Sequence, residues 1–171
     1  MEHIFGGWDH LVFVLTLALA VGSWKRLALV VTSFTMAHSL TLAMTAVGLV
    51  RVSPALVEPA IAATIVWAAV DLFRDRDREP RLGLTFAFGL IHGLGFGGTM
   101  LDLGLEGQEL LMPLLGFNLG VEAGQLLAVL PAFALFAWLS SHRPEIFAKV
   151  QSGGAIVCGL AGAAWLVARI V

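Results

Sequence analysis

Three histidines and several carboxylates lie within or beside apolar stretches of the sequence, where an ionisable side chain is costly unless it has a partner or a function. His10 stands next to Asp9 at the beginning of the first stretch, and His38 and His92 lie near the middle of the second and fourth. Imidazole and carboxylate groups without thiolates suit nickel, cobalt, zinc or copper(II) better than copper(I) or an iron–sulfur cluster. These residue types predict a shared site for a divalent transition metal.

The fifth apolar stretch carries Asn118, Glu122 and Gln125 at spacings i, i+4 and i+7, which places all three on one face of a helix. Ser39 in the second stretch and Glu58 at the beginning of the third are further polar groups near the same predicted depth. We predict that they support the metal ligands or line a path, together with Asn118 and Gln125. The predicted ligands are His10, His38, His92, Asp9 and Glu122.

The elements that position these groups must be membrane-spanning helices. Apolar residues make up 58% of the 171-residue chain and charged residues only 13%, too few to supply the polar shell of a soluble domain. The apolar runs are continuous rather than alternating, which favours helices over a β-barrel. We therefore predict an all-α, polytopic integral membrane protein with one transmembrane domain over residues 1–171, a bundle of six helices. The expected helices are Asp9–Trp24, Leu27–Val50, Val57–Phe73, Leu82–Leu101, Leu110–Ser140 and Gly154–Ile170.

The distribution of basic residues predicts the orientation. Lysine and arginine near helix ends tend to remain cytoplasmic. With both termini outside, the inner loops hold eight basic residues and the outer segments hold only Arg51 and Arg169, so this orientation is the one predicted, in what we expect to be a bacterial inner membrane. The eight inner residues are Lys25, Arg26, Arg74, Arg76, Arg78, Arg81, Arg143 and Lys149.

Glycines at four-residue spacing predict close helix packing. Such small-residue stripes let two helix backbones approach in lipid. One stripe lies on helix 4 and the other on helix 5, where it is nearly opposite the polar face, so each stripe is expected to pack against a neighbour. The stripes are Gly89, Gly93 and Gly97, and Gly116, Gly120 and Gly124.

Several chemistries lack their sequence signature. There is no Walker-type phosphate loop, no GxSxG nucleophile elbow and no HExxH zinc motif. The one cysteine, Cys158, excludes an intrachain disulfide. The predicted partners are therefore membrane lipid and a metal ion, with no nucleotide and no nucleic acid, and the sequence leaves homo-oligomer formation open.

Five segments together resemble the HupE/UreJ family, which is associated with nickel supply to hydrogenase and urease. The resemblance implies a metal permease in which His3, Asp9 and His10 contact the metal first. One branch of the family has a histidine and a glutamate after the helix-4 motif, where this chain has Leu94-Gly-Phe96-Gly-Gly98, which indicates a different metal or different chemistry there. The segments are His3-Ile-Phe-Gly-Gly-Trp-Asp9-His10, Phe34-Thr-Met-Ala-His38-Ser39, Val57-Glu58-Pro-Ala-Ile-Ala, Phe88-Gly-Leu-Ile-His92-Gly and Phe117-Asn118-Leu-Gly-Val-Glu122-Ala-Gly-Gln125.

Two functions fit these residues. The first is a permease for nickel or cobalt, whose transport would be passive or driven by a gradient because no ATPase is present. The alternative is an intramembrane zinc-dependent hydrolase, in which three histidines hold a water-activating metal and Glu122 acts as the base. The predicted ligands crowd the outer half of the bilayer, which suits an enzyme cavity. The inner half offers mainly Thr16, Ser33, Thr85 and Asp71.

Overall fold

The computed structural model describes residues 6–75, 80–102 and 111–171. No strand occurs in this part of the chain, so the all-helical fold is confirmed. The described residues form the helices α1 (Gly6–Ala20), α2 (Trp24–Ala46), α3 (Pro54–Arg74), α4 (Leu82–Asp102), α5 (Leu111–His142) and α6 (Pro144–Ile170).

Among the described residues, four helices are long and apolar enough to cross a membrane, namely α2, α3, α5 and α6. The described apolar parts of α1 and α4 are shorter, Trp8–Ala20 and Leu82–Gly95. At about 1.5 Å per residue, the 32 residues of α5 are longer than a hydrocarbon core of about 30 Å requires. The helix continues through Pro131. Helix α5 is therefore long enough to extend beyond the hydrocarbon core.

Helix α6 differs most from the predicted bounds, since it begins at Pro144 rather than at Gly154. Proline is well suited to the first turn of a helix because its missing N–H has no partner there in any case. The first turns of α6 carry Glu145, Lys149 and Gln151, whose polarity hid them from a search for apolar runs. Apolar residues mark the part of a helix that lies in lipid, and the helix itself continues beyond it.

Helix α1 lies at the centre of the bundle, in contact with each of the other five helices. Its residues Phe13, Val14 and Ala18 are completely buried, and they form the main core with residues of α2, α3 and α5. The most extensive helix pairs are α2 with α4 and α3 with α6. A side chain on α1 can therefore meet groups from any of the surrounding helices.

Gly89 and Gly93 of the α4 stripe pack directly on the backbone of α2. A Cβ atom added at Gly89 would collide with the carbonyl oxygen of Phe34, and one added at Gly93 would collide with that of His38. The hydroxyl of Thr41 donates to the carbonyl oxygen of Leu90 at 2.8 Å, which joins the same two helices. Close packing of α2 and α4 fixes the positions of their two histidines relative to each other.

The corresponding prediction for α5 is wrong within the described residues. A Cβ atom added at Gly116, Gly120 or Gly124 meets no described atom within 4 Å. The stripe therefore faces open space there rather than a neighbouring helix. Glycines of α6, which the sequence analysis did not single out, instead pack closely: a Cβ at Gly162 would lie 3.0 Å from a methyl group of Ile65 on α3.

We expect Gly93→Ala to lower the midpoint of thermal unfolding, because the added methyl group meets a backbone carbonyl that cannot move without shifting α2. Overpacking of this kind costs about 2 kcal/mol. Gly120→Ala is the matched control, since its methyl group meets no described neighbour and alanine favours a helix by about 1 kcal/mol over glycine. Thermal unfolding of the purified proteins in detergent checks this, and equal midpoints for the two variants would contradict the packing.

Candidate metal site

Three imidazole rings form a compact group that we call the histidine layer: His10 of α1, His38 of α2 and His92 of α4. The centroid of the His10 ring lies 4.9 Å from that of His38 and 4.8 Å from that of His92. All three residues are buried, with exposed fractions of 3%, 3% and 0%. Residues far apart in the chain therefore present their imidazoles to one another inside the bundle.

A hydrogen bond to the hydroxyl of Thr64 involves the ring of His92. The hydroxyl of Thr64 lies 2.7 Å from the carbonyl oxygen of Ile61 and 2.8 Å from Nε2 of His92; when it donates its proton to Ile61, it accepts the Nε2–H of His92. The Nδ1 atom of His92 then carries the lone pair. This atom is buried and has no hydrogen-bond partner in the described part of the chain. A hydrogen bond that fixes one ring nitrogen and leaves the other as a lone-pair donor is typical of metal-binding histidines.

His10 and His38 are joined by a hydrogen bond between Nε2 of His10 and Nδ1 of His38, 3.4 Å apart. Two imidazole nitrogens bound to one tetrahedral ion at about 2.05 Å would lie about 3.3 Å apart. The spacing of this pair thus equals the spacing of two ligands on one ion. No group of three or more His, Cys, Asp or Glu side chains among the described residues is arranged to hold a metal as the rings stand. His92 therefore has to reorient to become a third ligand.

A second group of rings, the phenylalanine layer, borders the histidine layer. Phe13, Phe34 and Phe88 each lie one helical turn from a histidine of the same helix. Phe13 lies 5.1 Å from Phe34 and 5.8 Å from Phe88 between ring centroids, and 4.9 Å from the ring of His92. This apolar layer covers one side of the histidine layer with aromatic rings.

The predicted carboxylates Asp9 and Glu58 lie together with Arg169 of α6. Nη2 of Arg169 contacts Oδ2 of Asp9 at 2.7 Å, and Nε lies 3.7 Å from Oε2 of Glu58. Asp9 is buried, whereas the side chain of Glu58 is 54% exposed. Because Asp9 precedes His10, this ion pair stands at the end of the histidine layer opposite the phenylalanine layer. It also places the beginning of α1 and the end of α6 at the same end of the bundle.

Helix α5 contacts α2 beside His38 through Asn118, the first residue of its polar face. The hydroxyl of Ser39, the neighbour of His38, donates to Oδ1 of Asn118 at 3.3 Å. Glu122 and Gln125, one and two turns further along α5, line a cavity of about 170 Å³ between α1, α2 and α5. We call it the α5 cavity.

The α5 cavity has mostly apolar walls and extends to Trp24 at the beginning of α2. Gln125 is 7% exposed, and its Nε2 atom has no hydrogen-bond partner among the described residues. A buried donor of this kind favours a polar or hydrated occupant over a purely apolar one.

The predicted site is thus divided over three places. His10, His38 and His92 meet, with Asp9 adjacent in the chain; Glu58 lies with Arg169 and Asp9; and Glu122 and Gln125 line the α5 cavity. His3 lies outside the described residues. Sequence reasoning missed the roles of Thr64 and Arg169. The phenylalanine layer could have been found, because each ring follows or precedes a histidine by three or four residues.

Comparison with known proteins agrees with the resemblance of the five segments. A protein-family model described as HupE / UreJ protein matches residues 1–169. The match includes α6, which carried none of the motifs used in the sequence analysis. No match was found among curated proteins or among solved structures.

Proposed function

Because the chain belongs to the HupE/UreJ family of membrane proteins related to nickel and cobalt transport, we propose that it is a permease for a divalent transition metal, nickel or cobalt, and that the histidine layer binds the transported ion. The observation that carries this proposal is the buried His10–His38 pair, with its nitrogens 3.4 Å apart. That distance is close to the spacing of two imidazole nitrogens bound to one metal ion, so an ion could replace the proton that the two rings share.

The ion would be held mainly by imidazole. It would replace the proton between His10 and His38, and a rotation of His92 would bring its Nδ1 lone pair to the ion as a third ligand. In the present ring position Thr64 already favours the tautomer of His92 that leaves Nδ1 free for the ion. Asp9, which the family resemblance also points to, would contribute negative charge at the outer side. This ligand set favours nickel, cobalt and zinc over magnesium and calcium, which prefer oxygen ligands.

The orientation with both termini outside places Asp9 and Arg169 at the outer mouth of the site. The phenylalanine layer then lies on the inner side of the histidines and obstructs a straight path inward. The hydrogen bond between Ser39 and Asn118 suggests a path along α5 instead. This path leads to Glu122 and Gln125 and then, through the α5 cavity, to Trp24 at the inner end of α2.

The α5 cavity also distinguishes the two functions considered from the sequence. A hydrolase needs its cavity only beside the metal, whereas a permease needs polar or hydrated space on both sides of the site. The α5 cavity extends from Glu122 to the beginning of α2, and Glu122 and Gln125 place polar groups in its otherwise mostly apolar wall. It therefore supports the permease over the intramembrane zinc hydrolase with Glu122 as its base.

The experiment that tests the proposal is metal uptake by the purified protein reconstituted into liposomes. We expect nickel or cobalt to accumulate inside in proportion to the protein, faster with an inside-negative potential, without added nucleotide. Magnesium uptake should stay at the level of protein-free liposomes, because the site is built mainly from imidazoles. Stoichiometric metal binding without any flux of nickel, cobalt or zinc would reject the permease and favour the hydrolase.

A further inference from the structure

Arg169 holds the carboxylate at the outer mouth of the histidine layer. Besides its 2.7 Å contact with Asp9, its Nη1 donates to the main-chain carbonyl oxygen of Glu58 at 3.1 Å. Its side chain is 14% exposed, so this arginine is largely enclosed rather than extended into solvent. The close packing of Gly162 on α3 brings α6 near enough for its last turn to reach α1. Three helices thus fix one guanidinium on one carboxylate.

Asp9 depends strongly on this cation. The carboxylate is buried, and its Oδ1 atom has no hydrogen-bond partner in the described part of the chain. A buried carboxylate needs a positive charge nearby. A divalent ion bound to His10, the next residue, would supply that charge, but it would also repel the guanidinium. Arg169 and the transported ion are therefore rival partners of Asp9.

We propose that Arg169 is a built-in competitor of the transported metal at Asp9 and thereby determines which cations the site accepts. The inference rests on the proposed function, because it assumes that the histidine layer binds the ion. An ion whose binding energy comes mainly from carboxylate oxygens finds a carboxylate that Arg169 has already neutralised. An ion whose binding energy comes mainly from imidazole nitrogens binds in spite of the guanidinium. Arg169 therefore excludes magnesium and calcium, and it also limits the affinity for nickel and cobalt so that the ion can leave again.

The test compares Arg169→Gln, Arg169→Lys and wild-type protein by titration calorimetry with nickel, in the presence and absence of millimolar magnesium. We expect Arg169→Gln to bind nickel about tenfold more tightly, and magnesium to compete with nickel in this variant only. Arg169→Lys keeps a cation and should behave like the wild type. Arg51→Gln is the matched control, since it removes another outer arginine, one that is exposed to solvent.

A double substitution separates competition from a merely structural role. If Arg169 acts through Asp9, the Asp9→Asn/Arg169→Gln protein should bind nickel no more tightly than Asp9→Asn alone. Unchanged or weaker nickel binding by Arg169→Gln, or the same gain with Asp9→Asn present, would overturn the inference. Wild-type protein that binds no nickel or cobalt would instead defeat the proposed function, and this inference with it.

A measurement on the wild-type protein covers the case in which Arg169→Gln does not fold. The Nη2–H signal of Arg169, the group that contacts Asp9, can be observed at low temperature by NMR with labelled arginine and assigned with Arg169→Lys. Adding zinc, which is diamagnetic, should shift this signal as Asp9 leaves the guanidinium for the ion. A signal that stays in place while zinc binds would show that the ion and Arg169 do not compete.

Discussion

Replacement of His92 by alanine is expected to weaken nickel or cobalt binding by at least about a hundredfold, while the protein still inserts and purifies. Removing even an indirect partner of a metal ligand costs 10- to 100-fold in affinity, and a ligand should cost more. His92 is completely buried, and its Nδ1 has no hydrogen-bond partner among the described residues. Its imidazole therefore offers the ion a donor atom that no described group already occupies.

Two further variants make this result specific. Thr64→Val removes the hydroxyl that holds the Nε2–H of His92 and should weaken binding by about tenfold, less than loss of the ring. His142→Ala is the matched control, because His142 is an exposed histidine at the end of α5, stacked on Trp138. Metal analysis and calorimetry on the purified proteins provide the measurement. Full metal content in His92→Ala would contradict the shared imidazole site.

Substitution of Glu122 by glutamine is expected to reduce metal flux in liposomes by at least about tenfold, with a much smaller change in binding affinity. The amide keeps the shape of the side chain but removes the one negative charge that described residues contribute to the wall of the α5 cavity. That charge offsets part of the cost of bringing a divalent ion through a low-dielectric region, and each 1.4 kcal/mol of that cost is a factor of about ten. Flux and affinity therefore respond differently to this change.

The control for Glu122→Gln is Glu145→Gln, which removes a carboxylate of the same type from the exposed beginning of α6. Its flux should equal that of the wild type. If Glu122→Gln lost binding and flux in parallel, Glu122 would belong with the ligands of the histidine layer. If it transported normally, the proposed path along α5 would be wrong.

The helices were predictable from the sequence because continuous apolar runs leave few alternatives in lipid. The ends of the helices were less predictable, as α6 shows: Glu145, Lys149 and Gln151 interrupt the apolar pattern of its first turns, which are nevertheless helical. The two glycine stripes look alike in the sequence, but only that of α4 has a packing partner in the described residues. Spacing identifies a smooth helix face, whereas the presence of a neighbour depends on how all the helices assemble.

For the metal site, too, position along the chain predicted some contacts, and the assembly of the helices decided others. Equal predicted depth was enough to suggest that His10, His38 and His92 approach one another, because depth follows from position within a span. Arg169 was counted only as one of two outer basic residues, although it pairs with a residue 160 positions away in the chain. Contacts of this kind depend on the lateral arrangement of the helices, which spacing along one chain does not encode.

The phenylalanine layer also has an electrical consequence. A membrane potential falls mainly across regions that exclude water. With the proposed orientation, in which both termini lie outside, these rings would separate the histidines from the inner side of the bundle. Much of the voltage should therefore act on an ion just as it leaves the histidines. At 100 mV a divalent ion gains about 4.6 kcal/mol over the full drop, twice the gain of a proton. The resting voltage of a cell would thus favour release of a divalent ion to the inside.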